Sequence, residues 1–217
     1  MGVVVENLDL FWSGFLRTLL MSVAAGVIAL LLGTVLAGFR VSPVPPLRAL
    51  GTGYVNVVRN TPLTAVFVLV VFGLPQVDLT FQNYVLAAIV ALSVYTSAFV
   101  CEVVRSGINS VAAGQAEAAR ALGLTFRQSL GTVVLPQAFR TVVPPLGNVW
   151  IALVKNTSIA GGGFAVADIA FYGPSIIRDN PGSALWVFAG VAFFYMVITV
   201  PSAIAISRIE RRTAIVR

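Results

Sequence analysis

Long runs of apolar residues, each without a charged side chain over most of its length, constrain this chain more than any other feature. One of them extends from Thr18 to Phe39, and a helix needs about 20 such residues to cross a bilayer. Hydrophobic residues make up 58% of the chain and charged residues 10%, whereas soluble domains carry about 25% charged residues. In a bilayer, separate segments of this kind satisfy their backbone groups only as helices. The sequence therefore predicts an all-α membrane protein.

Five segments are long and apolar enough to be predicted spans. The second and the fourth contain polar residues, and the third carries Glu102 near its end. We interpret residues 1–217 as one transmembrane domain whose spans lie near residues 18–39, 54–74, 84–104, 139–160 and 184–206.

The cationic residues are divided unevenly between the two sides that these spans define. Eleven of the fourteen Lys and Arg residues fall on the side that holds residues 40–59, residues 105–140 and the C-terminal tail. The other side holds five of the eight acidic residues but only Arg17 and Arg178 as basic ones. Because an excess of Lys and Arg marks the cytoplasmic side, we predict an external N-terminus and a cytoplasmic C-terminus. Attraction to anionic membrane lipid accounts for the net charge of +6, so no nucleic acid partner is predicted.

Several kinds of site are excluded by the residues that the sequence lacks. The chain has no histidine and a single cysteine, Cys101, which rules out His-based metal sites, Ser-His catalysis and an intrachain disulfide. A Walker A loop needs Gly-Lys followed by Ser or Thr, and the single lysine, Lys155, follows Val154. We predict no catalytic residue, no metal site and no cofactor bound by this chain.

A short Ala-rich segment, AGQAEAARALG from Ala113 to Gly123, lies between the third and fourth spans on the predicted cytoplasmic side. Asn109 or Ser110 would cap the start of a helix, and Gly123 would end it in a left-handed conformation. Thr125, followed three residues later by Gln128, is typical of a capping box for a second helix.

The first of these helices would have one face made of small side chains. Ala112, Ala116 and Ala119 share that face, and Glu117 and Arg120 are neighbours at a spacing of three. A face of alanines lets a helix approach a partner's backbone closely. From spacing alone, residues 110–136 are equally well explained as an Ala-rich connector.

The order of short motifs around this segment resembles one transporter family. Glu117-Ala118-Ala119, then Gly123, then Val133-Val134-Leu135-Pro136 is similar to the EAA loop of permease subunits of binding-protein-dependent ABC importers, with Val133 where Ile is usual. The sequences VRNTPL at 58–63 and KNTSIA at 155–160 resemble the polar amino acid subgroup. With VSPVPPLRAL at 41–50 they are most like glutamate permease subunits, with glutamine or aspartate as the next choices.

This resemblance implies a fold, a set of partners and a docking surface. It implies the type I ABC importer fold with five transmembrane helices, in a bacterial cell membrane. The implied partners are a second permease subunit, identical or related, a cytoplasmic ABC ATPase dimer that binds ATP-Mg, and an extracytoplasmic amino-acid-binding protein. The implied ATPase-docking helix carries Gly114, Glu117, Ala118, Ala119, Arg120 and Gly123.

Two polar stretches inside the predicted spans are candidates for a substrate path. Arg59, Asn60 and Thr61 precede Pro62, which disfavours helix at Thr61. A second stretch would interrupt the end of the fourth span, and broken helices are where transporters often bind cargo. It consists of Lys155, Asn156, Thr157 and Ser158.

Each candidate also has a simpler interpretation. Arg59 would equally well contact lipid phosphate at the cytoplasmic edge of the membrane. The amide and hydroxyl side chains would equally well form interhelical hydrogen bonds. Glu102 and Arg105 are expected to pair at the end of the third span. The alternative to an ABC permease is a secondary transporter or channel subunit that works without an ATPase, although no pair of matching halves supports it.

Overall fold

We describe the fold from a computed structural model that covers residues 2–213, apart from the side chains of Phe126, Arg212 and Thr213. Met1 and residues 214–217, which the predicted domain includes, lie outside the described residues. Residues 2–213 form helices and loops without a strand. The helices are α1 Gly2–Glu6, α2 Leu8–Val41, α3 Pro45–Asn60, α4 Leu63–Val68, α5 Tyr84–Asn109, α6 Ala113–Ala121, α7 Phe126–Ser129, α8 Leu135–Phe164, α9 Gly173–Asp179 and α10 Ala184–Thr213.

Three turns of π-helix or 3₁₀-helix adjoin the short helices. A π-helical turn, Leu69–Gly73, and a 3₁₀ turn, Leu74–Val77, continue α4. A second π-helical turn, Leu130–Val134, joins α7 to α8. The two π-helical turns pass directly into the next element, whereas the 3₁₀ turn ends at Asp78, which has a left-handed conformation with φ 62°.

The helices α2 and α5 run in the same direction and form the centre of the bundle. Met21 and Ala25 pack with residues of the first half of α5, such as Ala91. Further along, a Cβ atom on Gly33 would lie only 2.7 Å from the carbonyl oxygen of Ser97. A glycine is therefore needed for this approach, and small residues at helix contacts are typical of membrane bundles.

The helix α8 runs antiparallel to α5 and to α10. Near its start, the hydroxyl groups of Thr141 and Ser110, just after α5, are 3.0 Å apart, while Ala160 near its end packs in the same cluster as Ala87 at the start of α5. The indole nitrogen of Trp150 donates a hydrogen bond of 3.2 Å to Ser202, far along α10. The start of α8 therefore lies beside the end of α5, and the end of α8 lies beside the start of α5.

Only some of the helices meet the length and hydropathy expected of a span. Within residues 2–213, three of them do: Leu8–Val41, Tyr84–Asn109 and Ala184–Arg211. The pair Pro45–Asn60 and Leu63–Val77 would add a fourth if it forms one bent span. The more polar helix α8 is 30 residues long but is not in this group, so the count of five spans stays a prediction.

The second predicted span, near 54–74, is broken rather than continuous. The axis bends by 106° between Pro45–Asn60 and Leu63–Val77. Thr61 is extended, with φ −97° and ψ 132°, which is the conformation expected of a residue before proline. The break that Pro62 predicted is therefore present, and it turns the chain by more than a right angle.

The predicted interruption of the fourth span at Lys155–Ser158 is wrong. The helix α8 continues through these residues to Phe164. The hydroxyl groups of Thr157 and Ser158 donate hydrogen bonds of 2.9 and 2.8 Å to the carbonyls of Val154 and Lys155. Because their hydroxyl groups are satisfied on the helix itself, these side chains do not open the backbone.

Candidate coupling surface and transport groove

The helix α6 ends in a fully hydrogen-bonded left-handed cap. Gly123 has φ +83°, and its N–H donates a hydrogen bond of 2.9 Å to the carbonyl of Arg120. The N–H of Leu124 donates one of 3.2 Å to the carbonyl of Ala119. These two bonds define a Schellman motif, so the predicted role of Gly123 as a helix stop is confirmed.

The predicted capping box at the next helix is also present. The N–H of Thr125 donates a hydrogen bond of 2.9 Å to Gln128 Oε1, and the N–H of Gln128 donates one of 3.3 Å to Thr125 Oγ1. The predicted cap at the start of α6 is wrong, because Asn109 is the last residue of α5 and α6 follows Ala112. The hydroxyl of Ser110 is instead committed to the end of α5, where it donates to the carbonyl of Gly107 at 2.7 Å.

Two of the three alanines of the predicted face, Ala116 and Ala119, turn toward the rest of this chain, whereas Ala112 is exposed just before α6. Ala119 is only 4% exposed and Ala116 is half-buried. Ala119 is therefore covered by its own chain, and a partner would not meet its side chain. Most of the docking residues implied by the resemblance point the other way and are exposed: Gly114, Glu117, Ala118, Arg120 and Gly123.

Side chains of α5 and α8 line two cavities at successive turns of these helices, which together we call the groove; the upper cavity is nearer the start of α5 and the lower one is nearer its end. The upper cavity, about 350 Å³, is lined by aromatic and neutral polar side chains: Tyr95, Thr96, Phe99, Asn148 and Asn156 among others. Its size falls within the range of about 300–1,000 Å³ that is usual for ligand pockets. Of the four residues predicted in the second polar stretch, Asn156 lines this cavity.

The other residues of the two polar stretches have different positions. Lys155 is exposed and Thr157 is fully buried, and neither they nor Ser158 line the upper cavity. The side chains of Asn60 and Thr61 each donate a hydrogen bond of 2.8 Å to a carbonyl four residues earlier, at the end of α3. The structure thus separates residues that the substrate-path prediction grouped together.

Arg59 belongs to a cluster of three arginines around one glutamate. Glu102 accepts hydrogen bonds from Arg40 at 2.6 Å, from Arg59 at 3.1 Å and from Arg105 at 2.9 Å. These side chains come from the ends of α2 and α3 and from the last third of α5. The predicted pair of Glu102 and Arg105 is therefore confirmed, as part of a larger cluster. Three positive charges around one negative charge leave an excess of two.

A second cluster surrounds Asp168 in the loop after α8, where the side chain is fully buried. Its carboxylate accepts hydrogen bonds from the Tyr195 hydroxyl at 2.7 Å and from the N–H groups of Ala170 and Phe171 at 2.9 and 3.1 Å. Burial raises the pKa of Asp168 to about 6, although these hydrogen bonds act in the opposite direction.

Glycines on two helices make room for the Asp168 loop. A Cβ atom on Gly161 of α8 would overlap the Asp168 carboxylate. One on Gly14 of α2 would lie 2.7 Å from the Asp168 carbonyl oxygen. The N–H of Ile169 also donates a hydrogen bond of 3.4 Å to Thr18 on α2. The loop is therefore held against both helices.

Sequence reasoning missed three residues of these sites. Asp168 is expected from the sequence only to lie on one side of the membrane, and Gly161, seven residues before it, is the local feature that makes room for its carboxylate. Asn148 was not singled out, although it is eight residues before Asn156 in the same helix and so falls near the same face. Arg40 was counted as a cytoplasmic charge, and no sequence signal links it to Glu102.

Comparisons with known families and proteins place these features in context. Residues 10–215 match the family described as binding-protein-dependent transport system inner membrane component. The chain is 40% identical to the probable glutamine ABC transporter permease protein GlnM of Bacillus subtilis (strain 168), over 97% of this chain and 96% of that protein. It is 39% identical to the glutamate transport system permease protein GluC of Corynebacterium efficiens, over 96% of this chain and 94% of that protein.

A solved structure has a similar fold. It is the crystal structure of an amino acid ABC transporter with histidines, which matches 96% of each chain with a TM-score of 0.88 and 32% sequence identity. The MetNI methionine ABC transporter in an inward-facing conformation matches with a TM-score of 0.75 at 22% identity, over 97% of this chain and 99% of that one.

Proposed function

Because the chain belongs to the family of binding-protein-dependent transport system inner membrane components, we propose that it is the membrane-spanning permease subunit of an ATP-driven amino acid importer. It is a multi-pass protein of the bacterial inner membrane with the type I ABC importer fold. The observation that carries this proposal is the exposed face of α6, which presents Glu117 and ends at the left-handed Gly123. The family match covers residues 10–215 and so includes this helix.

In this proposal α6 is the coupling helix that docks on a cytoplasmic ABC ATPase. Glu117 supplies an acidic group, Gly114 and Ala118 let the partner approach closely, and Arg120 and Gly123 complete the exposed surface. The partner ATPase dimer binds and hydrolyses ATP-Mg. When it closes, the docked helices move with it and shift the permease between two arrangements. Ala119 stabilises α6 against its own chain and stays outside the docking contact.

The proposal includes five spans, an external N-terminus and a cytoplasmic C-terminus. The fourth span is α8 and the second is the bent pair α3 and α4. Two observations support this: the long helices alternate in direction through the bundle, and Arg40, Arg59 and Arg105 meet at one end of it. The other partners are a second permease subunit, identical or related, and an extracytoplasmic amino-acid-binding protein.

We place the cargo path in the groove between α5 and α8, with Asn156 in the upper cavity. The cargo is glutamate, glutamine or aspartate, since relatives at 37–40% identity are named for glutamine, glutamate and glutamate/aspartate transport. Lys155, Thr157 and Ser158 have no direct contact with cargo in this proposal, and Asn60 and Thr61 shape the end of α3.

The docking role is tested by Glu117→Lys, which reverses the charge on the exposed face of α6. We expect at least a tenfold loss of ATP-dependent uptake in proteoliposomes and loss of copurification with the ATPase, while membrane insertion is unchanged. Glu6→Lys is the matched control, because Glu6 is also an exposed acidic residue at the end of a helix but lies far from α6 in the sequence.

Equal copurification and uptake for Glu117→Lys and the wild type would remove α6 as the docking helix. Uptake by the purified chain without any ATPase would instead favour a secondary transporter or channel.

A further inference from the structure

The groove between α5 and α8 continues past the upper cavity into a second, basic cavity. This lower cavity has a volume of about 410 Å³. It is lined by the last turns of α5, from Glu102 to Gly107, by Ser110 just after α5, by Thr141 and Pro145 of α8, and by Arg59 of α3. The upper cavity uses Tyr95 to Phe99 of α5 and Asn148 to Asn156 of α8. The two cavities therefore follow one another along the same pair of helices.

Arg59 lies at the junction of the two cavities. Its guanidinium carbon is 5.6 Å from the centre of the Phe99 ring, and Phe99 lines the upper cavity. Arg59 itself lines the lower cavity. A ligand that moves along the groove would therefore pass this side chain.

The three arginines of the cluster differ in their exposure and in how many N–H donors remain available to a ligand. Arg40 is 12% exposed and makes the shortest bond to Glu102, and Arg105 makes two hydrogen bonds to the other oxygen of the same carboxylate. Arg59 makes a single bond to Glu102 among the described residues, at 3.1 Å, and its side chain is 45% exposed. A guanidinium has five N–H donors arranged to match a carboxylate, so most of those of Arg59 are available to a ligand.

The charge of the two cavities is also different. The upper cavity is lined by no charged side chain among the described residues, whereas the lower one is lined by Arg59, Arg105 and Glu102. This lining has an excess of one positive charge, and the whole cluster, which includes Arg40 bound to Glu102, has an excess of two. Ser106 and Thr141 add hydroxyl groups to the lower cavity. This combination suits an anion of moderate size that brings hydrogen-bonding groups of its own.

We propose that the lower cavity is a second binding site, for the carboxylate of an acidic amino acid, with Arg59 as the principal ligand residue. This inference rests on the proposed function, because it assumes that amino acids move along this groove. The site lies at the proposed cytoplasmic end of the groove, where imported cargo leaves. It favours glutamate over glutamine, since the uncharged amide of glutamine gains less from the excess positive charge.

The test is equilibrium binding of radiolabelled glutamate and glutamine to the complete transporter, without its binding protein, in nanodiscs of zwitterionic lipid. We expect Arg59→Gln to weaken glutamate binding by about tenfold or more, since a hydrogen bond to a charged group is worth about 1.5–3 kcal/mol and each 1.4 kcal/mol is tenfold. Arg48→Gln is the matched control, because Arg48 is also exposed on α3 but donates to the carbonyls of Ser42 and Pro43.

A second variant keeps all three arginines. Ser106→Glu introduces a carboxylate into the lower cavity, one helical turn from Glu102, and should abolish glutamate binding at the lower cavity by occupying that site, while the upper cavity is unchanged. Arg59→Gln leaves Glu102 paired with Arg40 and Arg105, so that variant is also expected to fold.

Equal glutamate affinity in Arg59→Gln and the wild type would overturn the inference, and so would equal wild-type affinities for glutamate and glutamine. Nanodiscs with phosphatidylglycerol separate the two sources of an anion: retained glutamate affinity supports the proposal, whereas displacement of glutamate by this lipid assigns the site to lipid phosphate and overturns it. Absence of ATP-dependent uptake by the wild type would reject the proposed function instead, and that is a separate measurement.

Discussion

The two ends of the helical bundle accommodate buried charge in different ways. At one end Asp168 is fully buried, and its carboxylate is held by neutral donors, the Tyr195 hydroxyl and two backbone N–H groups. At the other end Glu102 is partly exposed and is held by the cations of Arg40, Arg59 and Arg105. Among residues 2–213, no cation forms an ion pair with Asp168, whereas three arginines share the carboxylate of Glu102.

This difference teaches what each end is suited to do. The Asp168 carboxylate fits only one position, because neutral donors and close neighbours surround it. It therefore fixes the loop of residues 165–172 against α2, α8 and α10. A cluster that is accessible and has an excess of positive charge is held together mainly by electrostatic attraction. Its excess charge can also attract an anion. The bundle is therefore tightly fitted at its proposed outer end and open to ligands at its proposed cytoplasmic end.

The sharpest way to break this comparison is to remove the Asp168 carboxylate. Asp168→Ala leaves three donors without an acceptor, and each unsatisfied buried donor costs about 1–3 kcal/mol. We expect the free energy of unfolding in mixed detergent micelles to fall by about 3 kcal/mol or more. Asp179→Ala is the control, because Asp179 is 72% exposed and its contact with Arg178 is 3.9 Å long. Similar losses for both variants would contradict the geometric role of Asp168.

The pH dependence of stability sharpens the same contrast. The pKa of Asp168 is raised in the folded protein from its ordinary value of 3.8 to about 6, so the folded state holds a proton more tightly than the unfolded state. The resulting stability is present below pH 4 and is lost as the pH rises through 6. At about 1.36 kcal/mol per pKa unit, the loss is on the order of 3 kcal/mol.

This pH effect is measured as the difference in unfolding free energy between the wild type and Asp168→Asn from pH 4 to pH 7. The unfolding free energy of the wild type should fall relative to that of Asp168→Asn as the pH rises, because the amide does not titrate. A difference that is constant over this range would show that Asp168 does not titrate in it.

Crowding around Asp168 is tested with neighbouring glycines of one helix. In Gly161→Ala the new methyl group meets the Asp168 carboxylate, whereas Gly162 has no atom within 4 Å of a Cβ position. We expect Gly161→Ala to lower the free energy of unfolding by about 1–3 kcal/mol, as overpacking usually does. Gly162→Ala should leave it unchanged or raise it slightly, because alanine favours helix over glycine. The reverse order would refute the tight fit.

The smallest effect is expected at the arginine cluster. Glu102→Gln leaves three arginines without their counter-charge, but these side chains are partly exposed and solvent screens their repulsion. We expect a loss of about 1 kcal/mol in low salt that shrinks in 1 M salt, where the Debye length is about 3 Å. The loss caused by Asp168→Ala should stay constant with salt. Glu117→Gln serves as the control for removing an exposed carboxylate on a helix.

Local signals predicted local structure well. Pro62 predicted the break between α3 and α4, and Gly123 and the pair Thr125 and Gln128 predicted the end of α6 and the start of α7. These features depend on contacts within a few residues. The interruption expected at Lys155–Ser158 is wrong, and the reason is also local. A run of polar residues does not break a helix when each hydroxyl group finds a carbonyl one turn back.

The candidate sites were predicted less completely, because they join residues that are far apart in the chain. Asn156 was identified as a candidate but Asn148 was not, since the groove that both line is formed by the packing of α8 on α5. Arg59 was assigned to a substrate path or to lipid phosphate, and its partner Glu102 is 43 residues away. No pattern within one segment identifies such a partner.

The sequence by itself determined that this chain is helical, lies in a membrane and carries a family-specific loop, because hydropathy, proline and capping residues act through nearby atoms and the surrounding solvent. Only the tertiary structure decided which face of α6 is free and which charges share a carboxylate. It also decided that Asp168, in a loop, is buried against glycines of two helices, Gly14 of α2 and Gly161 of α8. These properties depend on distances between helices, and the close packing of small residues sets those distances.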